Sequence, residues 1–194
     1  MKLIMGLTML AITTVSFAQT TYKVDPKAST VRWVAYKEIG AGHDGKVAVK
    51  NGSLTVKDGL ITSGEIIVDM NTISVDDIPA DKDANGKLVG HLKSPDFFNV
   101  AKNPEAKIVI KKAEKTAKGQ KLTGDLTFNG KTNPVTFDAV VSESKNDLTT
   151  KTDLLVDRTK WDLKYSSKNF FKDLAGDRII KNDFKLEVNL KATK

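Results

Sequence analysis

Residues 183–191 read DFKLEVNLK, an unbroken alternation of apolar and polar side chains. Phe184, Leu186, Val188 and Leu190 would share one face of an extended chain, because successive side chains of a strand point to opposite sides. The stretch therefore predicts a β-strand with one face buried and the other in water.

The same alternation recurs upstream, and turn signals separate its runs. The runs are carried by Val31 and Trp33, Val47 and Val49, Leu54 and Val56, Ile66 to Met70, Ile108 and Ile110, Leu122 to Phe128, and Val135 to Val141. The turn signals are Asn51-Gly52, Asp58-Gly59, Lys118-Gly119 and Asn129-Gly130. Glycine after Asn or Asp supplies the positive φ of tight hairpin turns. About eight antiparallel strands in meander order are expected, closed into a barrel or packed as a sandwich.

Two segments break the alternation. In residues 79–98 the spacing of Leu88, Val89 and Leu92 predicts a short helix that ends at Ser94-Pro95. The second segment, residues 166–176, carries Phe170 and Phe171. Aromatic residues in such segments either cover the mouth of a barrel or fill its core.

The first 18 residues predict export. Lys2 precedes an apolar run over residues 3–15, and small residues at Ser16 and Ala18 fit a cleavage site after Ala18. The run is too short for a membrane span, which needs roughly 20 apolar residues. We expect a mature chain of one domain, residues 19–194, in the periplasm or secreted. The chain has no Cys, so packing alone must stabilise it.

The charged residues of the chain limit the kinds of partner that it is expected to bind. Lys and Arg number 31 against 24 Asp and Glu, and the excess is spread along the chain. This pattern is typical of a solvated surface, with transient contact to anionic membrane as the alternative. No segment combines dense Lys and Arg with stacking aromatics, so nucleic-acid binding is not expected.

Catalytic and metal-binding patterns are weak. The two histidines, His43 and His91, are far apart in sequence, and no nucleophile elbow, Walker motif or dinucleotide fingerprint occurs. Residues 81–86 begin like a calcium loop, but Leu92 stands where the bidentate Glu should be. A polar turn with Asp and Asn capping the helix explains them better. We expect neither an enzyme nor a metal site, and no cofactor.

A series of motifs runs in order along nearly the whole mature chain. They are Tyr22-Lys23-Val24-Asp25, Gly42-His43-Asp44-Gly45-Lys46-Val47, Gly52-Ser53-Leu54, His91-Leu92-Lys93-Ser94-Pro95-Asp96-Phe97-Phe98, Leu122-Thr123-Gly124-Asp125-Leu126-Thr127, Gly130 to Val135, Asp157-Arg158-Thr159 and the strand from Ile179 to Ala192. In their order and spacing these motifs resemble those of the YceI-like family. The family's His-rich opening segment is here residues 37–43, with a single His.

The resemblance implies a lipocalin-like, eight-stranded antiparallel barrel with a short helix near its mouth. It also implies an apolar channel for a long amphiphile such as a polyisoprenoid, an isoprenoid quinone or a fatty acid derivative, and pairing into homodimers. Together with the alternation it assigns a channel wall to Trp33, Val47, Leu54, Val68, Ile108, Leu126, Phe128, Phe137, Trp161, Tyr165, Phe184 and Leu186. Leu88, Leu92, Phe97 and Phe98 would cover the mouth, and His43 or His91 would meet the headgroup.

Three other interpretations stay open at this stage. The same barrel could carry an enzyme of lipid or isoprenoid metabolism, or it could be an interaction protein with a filled core and no cavity. An outer-membrane barrel would also have strands in which apolar and polar side chains alternate. Its outer face must be apolar to contact lipid, whereas here the faces opposite the apolar sets carry Lys, Glu, Asp and Thr.

Overall fold

The computed structural model describes residues 19–194, so the predicted signal peptide lies outside the described residues. Within this range the chain forms nine strands and one α-helix. The strands are β1 Thr20–Val24, β2 Thr30–Lys37, β3 His43–Lys57, β4 Leu60–Asp69, β5 Glu105–Thr116, β6 Gly119–Phe128, β7 Lys131–Glu143, β8 Asp147–Asp157 and β9 Ile180–Thr193, and the helix is α1 Asp83–Lys93. The predicted all-β class is confirmed.

The strands close into an eight-stranded antiparallel barrel, as predicted. From β2 to β9 each strand pairs with the next, and β9 returns to β2. The ninth strand fits because β1 and β2 share one position between β3 and β9. β1 pairs with them near one end (Tyr22 with Leu54, Val24 with Ala192), and β2 pairs further along (Val31 with Val47 and with Val188).

The two ends of the barrel differ. Tight connections at residues 58–59, 117–118 and 144–146 lie at the end that we call the hairpin end. Two long connections, residues 70–104 with α1 and residues 158–179, lie at the opposite end, which we call the helix end. The predicted helix near one barrel end is therefore present.

Three of the four predicted turns are confirmed, and the fourth is wrong. Asp58-Gly59 and Asn129-Gly130 have positive φ values at both residues, and Gly119 begins β6 with a positive φ. Asn51-Gly52 instead lies inside β3, where the register against β4 shifts between Val49 and Asn51. The predicted turn thus lies next to a β-bulge, where one extra residue bends β3 without ending it.

The segment 81–86 leads into α1 without the predicted side-chain caps. The helix begins at Asp83, and its N-cap, Lys82, makes no side-chain capping bond. Asn85 instead donates its amide to the carbonyl oxygens of Val75 and Ile78, at 2.9 and 2.7 Å. This side chain ties the first turn of α1 to the loop before it. The predicted end at Ser94-Pro95 is confirmed, since α1 ends at Lys93.

The barrel wall has one seam without a backbone ladder. β7 and β8 pair only from Val140 with Lys151 to Glu143 with Leu148, toward the hairpin end. Toward the helix end, the 3₁₀ turn Arg158–Trp161 packs against β7. Asn133 donates its amide to Lys160 O at 3.0 Å and so fixes this turn to β7. This turn covers the part of the seam nearest the helix end.

Candidate ligand-binding cavity

The interior of the barrel holds a cavity of about 140 Å³. Its lining is apolar except for Lys107, Thr150 and Thr152. The apolar lining residues are Val31, Trp33, Val47, Leu54, Ile61, Ile66, Val68, Met70, Ile73, Phe98, Ala106, Ile108, Ile110, Leu122, Leu126, Phe128, Phe137, Ala139, Leu154, Phe184, Leu186, Val188 and Leu190. The cavity is long, because the lining residues of β9 run from Phe184 to Leu190, roughly 20 Å at the rise of a strand.

The hairpin end of the cavity is closed. Tyr22, Ile61 and Leu148 are fully buried there. Gln120, also buried, accepts a hydrogen bond from Ile61 N at 2.9 Å and donates one to Gly59 O at 2.7 Å. The polar groups of this base are paired with one another, so it forms a stable floor.

Tyr22 contributes the one phenol of this floor. Its hydroxyl donates to Glu143 Oε1 at 2.6 Å across 121 residues of sequence. The hydrogen bond to Glu143, with burial and the carboxylate charge, raises the pKa of Tyr22 to about 12. The phenol is therefore protonated at neutral pH and works as a tether between β1 and β7.

Aromatic rings gather at the helix end. Phe98 lines the cavity, with its ring 5.1 Å from Phe97 and 6.2 Å from Phe128. Trp161 stacks on the far side of Phe128 at 4.7 Å and 15°. Its indole N–H donates to Leu126 O at 3.0 Å. Phe97 and Trp161 thus form a second layer behind the lining, where they contact Phe98 and Phe128.

His91 brings an unpaired polar atom to this end. Its ring lies 4.6 Å from Tyr165 and 5.8 Å from Phe97, between centroids. Among residues 19–194, its Nε2 is the buried side-chain polar atom that finds no hydrogen-bond partner. Such atoms are rare, because leaving one unpaired costs about 1–3 kcal/mol. The imidazole ring of His91 is thus left with one unused hydrogen-bonding position.

His43, the other predicted headgroup residue, already has a partner. Its Nδ1 lies 2.8 Å from Asp77 Oδ2, and Asp44 N donates to Asp77 Oδ1 at 3.1 Å. Burial raises the pKa of the Asp77 carboxyl, but these hydrogen bonds outweigh it and the net shift is downward. His43 is not among the cavity-lining residues. It joins the start of β3 to the loop before α1.

The family model for the YceI-like domain matches residues 22–192. The chain belongs to the YceI-like family. A UPF0312 protein of Yersinia enterocolitica is 31% identical over 151 residues, which cover 75% of each chain. Protein YceI of Escherichia coli is 37% identical over 89 residues, which cover 46% of this chain and 44% of that one.

Two solved structures share the YceI-like fold at low identity. BcnA of Burkholderia cenocepacia has a TM-score of 0.63 and 18% identity, covering 88% of this chain and 99% of that one. A polyisoprenoid binding domain from Saccharophagus degradans, implicated in plant cell wall breakdown, has a TM-score of 0.62 and 14% identity. It covers 89% of this chain and 97% of that one. At these identities the likeness concerns the fold.

The YceI-like barrel brings most of the residues predicted for the wall into one lining. Those that line the cavity are Trp33, Val47, Leu54, Val68, Ile108, Leu126, Phe128, Phe137, Phe184 and Leu186, and Phe98, which was assigned to the mouth, lines it as well. The others lie outside it. Leu88, Leu92 and Phe97 pack between α1 and the main core, Trp161 lies behind Phe128, and Tyr165 is 42% exposed beside His91. Trp161 and Tyr165 belong to the connection between β8 and β9, so strand alternation does not place them.

Sequence reasoning missed several lining residues of this YceI-like cavity. Ile66, Leu154 and Leu190 follow the alternation of their strands and could have been assigned from it. Met70 continues the alternation of Ile66 and Val68 just past the end of β4, whereas Ile73 comes from the connection after β4, where no periodic signal exists. In the described part of the chain no group of three or more metal-ligating side chains is close enough to hold an ion. No helix between residues 19 and 194 has the length and apolarity to cross a membrane.

Proposed function

We propose that this YceI-like protein binds one long amphiphile in the barrel cavity and performs no chemistry on it. The ligand is a polyisoprenoid, an isoprenoid quinone or a fatty acid derivative, and the protein is its carrier or scavenger. The observation that carries the proposal is the cavity itself, which has a closed floor and a lining apolar but for Lys107, Thr150 and Thr152. The polyisoprenoid binding domain from Saccharophagus degradans, which shares the fold, supports the polyisoprenoid class.

Physical chemistry favours such a ligand. Moving a hydrocarbon chain out of water gains about 0.8 kcal/mol per CH₂ group, and this gain is not directional. An apolar tube therefore needs no polar contact along the tail. The floor around Tyr22 and Gln120 has its hydrogen bonds internally satisfied, so the apolar end of the ligand belongs there.

The cavity volume implies that loading widens the barrel interior. An apolar cavity of about 150 Å³ accommodates a benzene molecule, and this cavity is of similar volume. A long chain needs more room, and the strand ladders resist expansion. Phe98, Met70 and Ile73 line the cavity from the connection between β4 and β5, outside the strands. We expect these three side chains to move when a ligand enters.

His91 is the headgroup residue of this proposal. His91 does not line the cavity, but its ring contacts Phe97, which in turn contacts the lining Phe98. Its unpaired Nε2 lies at the helix end, opposite the floor, on the side where the polar end of an amphiphile would stop. A ring nitrogen donates or accepts according to its tautomer, so a carbonyl, carboxyl, hydroxyl or phosphate oxygen can complete its hydrogen bond. The protein would meet its ligand in the periplasm or outside the cell, after cleavage at Ala18.

One pair of variants on β8 tests binding in the cavity. Leu154 lines the cavity and is 6% exposed, whereas its neighbour Leu155 points outward and is 61% exposed. Leu154→Trp should abolish uptake of a fluorescent fatty acid or a polyprenyl quinone, and Leu155→Trp should retain it. Both proteins are first checked for native circular dichroism. Equal uptake by the two variants would place the ligand elsewhere, and no uptake by the unmodified protein would favour an interaction protein.

A further inference from the structure

We propose that the connection between β8 and β9 docks on a membrane surface rich in anionic phospholipid. The residues that would make this contact form what we call the docking patch. They are Lys164, Tyr165, Lys168, Phe170, Phe171 and Lys172. The proposal that this patch binds membrane does not depend on the function proposed above. Only the suggested purpose of the contact, to load or deliver the ligand, rests on that function.

The docking patch exposes adjacent aromatic rings. Phe170 and Phe171 are 49% and 48% exposed, and Tyr165 is 42% exposed. Single exposed apolar residues are ordinary, but two neighbouring Phe side chains in water require a reason. The large apolar side chains that are exposed in residues 19–194 lie at or near the helix end, with the single exception of Val140.

The backbone holds the two Phe residues in a fixed turn. Ser167 is fully buried, and its hydroxyl donates to Asn182 Oδ1 at 2.7 Å. The backbone N–H groups of Phe170 and Phe171 both donate to Ser167 O, at 3.0 and 2.9 Å. The exposed rings therefore stand on an anchored turn, and their exposure follows from the native fold of this segment.

The charge of the patch matches an anionic surface. Residues 164–172 carry three Lys and neither Asp nor Glu. Lys164 lies 5.1 Å from the Phe170 ring centre and 2.9 Å from Asp162 Oδ1. Lys168 and Lys172 form no ion pair within residues 19–194. Asp173 follows Lys172 directly in sequence, and the positive charge available to a partner is that of Lys168 and Lys172. Aromatic rings beside lysines without an ion pair are typical of segments that lie in the membrane interface.

The patch also adjoins the cavity. The Tyr165 ring is 4.6 Å from His91 and 6.4 Å from Phe97, and Phe97 contacts the cavity-lining Phe98 at 5.1 Å. The hairpin end has no comparable aromatic group exposed among the described residues. A protein docked through this patch would face the bilayer with the end of the barrel that carries His91. An amphiphile could then pass between bilayer and cavity with little exposure to water.

Vesicle co-sedimentation of the mature protein tests the docking. We expect binding to vesicles of phosphatidylglycerol and phosphatidylcholine, and weak binding to phosphatidylcholine alone. Each removed Lys charge should lower the partition coefficient roughly fivefold, so Lys168→Gln with Lys172→Gln should lower it by more than tenfold. Phe170→Ser with Phe171→Ser should also weaken binding. Val140→Ser removes an equally exposed apolar side chain elsewhere and should bind like the unmodified protein.

Other outcomes would overturn the docking proposal. These are no binding to anionic vesicles, equal binding to both vesicle types, or an equal loss with Val140→Ser. A concentration-dependent dimer that Phe170→Ser with Phe171→Ser abolishes, without vesicle binding, would assign the patch to a second copy of the chain. Vesicle binding is measured without cargo. A failure here therefore leaves the Leu154→Trp comparison intact, and a failure of that comparison leaves the vesicle result intact.

Discussion

His91 and Tyr165 meet ring to ring at 4.6 Å and 64°, and this contact joins α1 to the connection between β8 and β9. The buried Nε2 of His91 remains unpaired beside it. Two segments distant in sequence thus come together around one unsatisfied polar atom at the helix end. The fold tolerates this cost, and an oxygen atom of a bound ligand would remove it.

His91→Phe separates the headgroup role from a packing role. Replacing an unpaired buried polar group by an apolar ring of similar shape is neutral or stabilising, so the melting temperature should stay equal or rise. Affinity for an amphiphile with an oxygen headgroup should fall roughly tenfold, the value of one hydrogen bond. Affinity for a plain hydrocarbon of equal length should not change. A parallel loss for both ligands, measured by fluorescence displacement, would contradict the headgroup role.

The raised pKa of Tyr22 predicts that the stability of the folded protein depends on pH in the alkaline range. Its pKa in the folded protein, about 12, exceeds the ordinary value of 10.0 because Glu143 accepts its proton in a hydrogen bond. A raised folded-state pKa gives stability that is complete below the unfolded pKa and lost as pH rises through the folded one. The free energy of unfolding should therefore fall between about pH 10 and pH 12.

Tyr22→Phe is the matched variant for this dependence. It should be less stable than the unmodified protein at neutral pH and show a flatter profile at high pH. Urea unfolding at several pH values measures both, and ultraviolet titration counts the phenols that ionise late. If all three Tyr of the chain titrate together near the ordinary value, the Tyr22–Glu143 tether is wrong.

Trp161 should stabilise the seam between β7 and β8. Trp161→Phe keeps an aromatic ring against Phe128 but leaves Leu126 O without the indole donor. A buried carbonyl without its partner costs about 1–3 kcal/mol, so urea unfolding should show a loss of about 2 kcal/mol. Trp33→Phe at the cavity wall also removes an indole donor, to Ser74 O, but at a partly buried site. Its loss should be smaller, and the reverse order would contradict the role given to the seam.

Gly45 is required by a close approach of two segments. A Cβ at this position would lie 1.8 Å from Ser74 O and 2.9 Å from Cζ2 of Trp33. Gly45→Ala must therefore push apart β3 and the loop that accepts the Trp33 indole N–H, at a cost of about 1–3 kcal/mol. Gly90→Ala in α1 meets open space and should stabilise by up to about 1 kcal/mol. Thermal unfolding of the two variants should shift in opposite directions.

The sequence predicts the barrel well because strand alternation is a local signal. Residues 183–191 alternate without a break, and they form the inward and outward faces of β9 as expected. Asn51-Gly52 shows the limit of local signals. Neither residue has a positive φ there, and Gly52 instead lets β4 approach closely, since a Cβ on it would lie 2.8 Å from Glu65 O. Only the pairing of β3 with β4 distinguishes this case from a turn.

The candidate site could be predicted only where it is built from strands. Phe128 and Phe184 follow from alternation, whereas Ile73 reaches the cavity from a connection whose path depends on tertiary contacts. The unpaired state of His91 Nε2 is likewise invisible in sequence, since it depends on which groups fail to approach it. Phe170 and Phe171 were expected to cover the barrel mouth or fill the core, and they instead stand about half exposed.

Native mass spectrometry tests the central claim most directly. The protein is purified from its own cells without detergent, its mass is measured intact, and any bound lipid is extracted and identified. The cavity predicts one long-chain amphiphile per barrel, and its loss in Leu154→Trp but not in Leu155→Trp. A protein that shows only its own mass, and that takes up neither isoprenoid quinones nor fatty acids when they are offered, would contradict the claim.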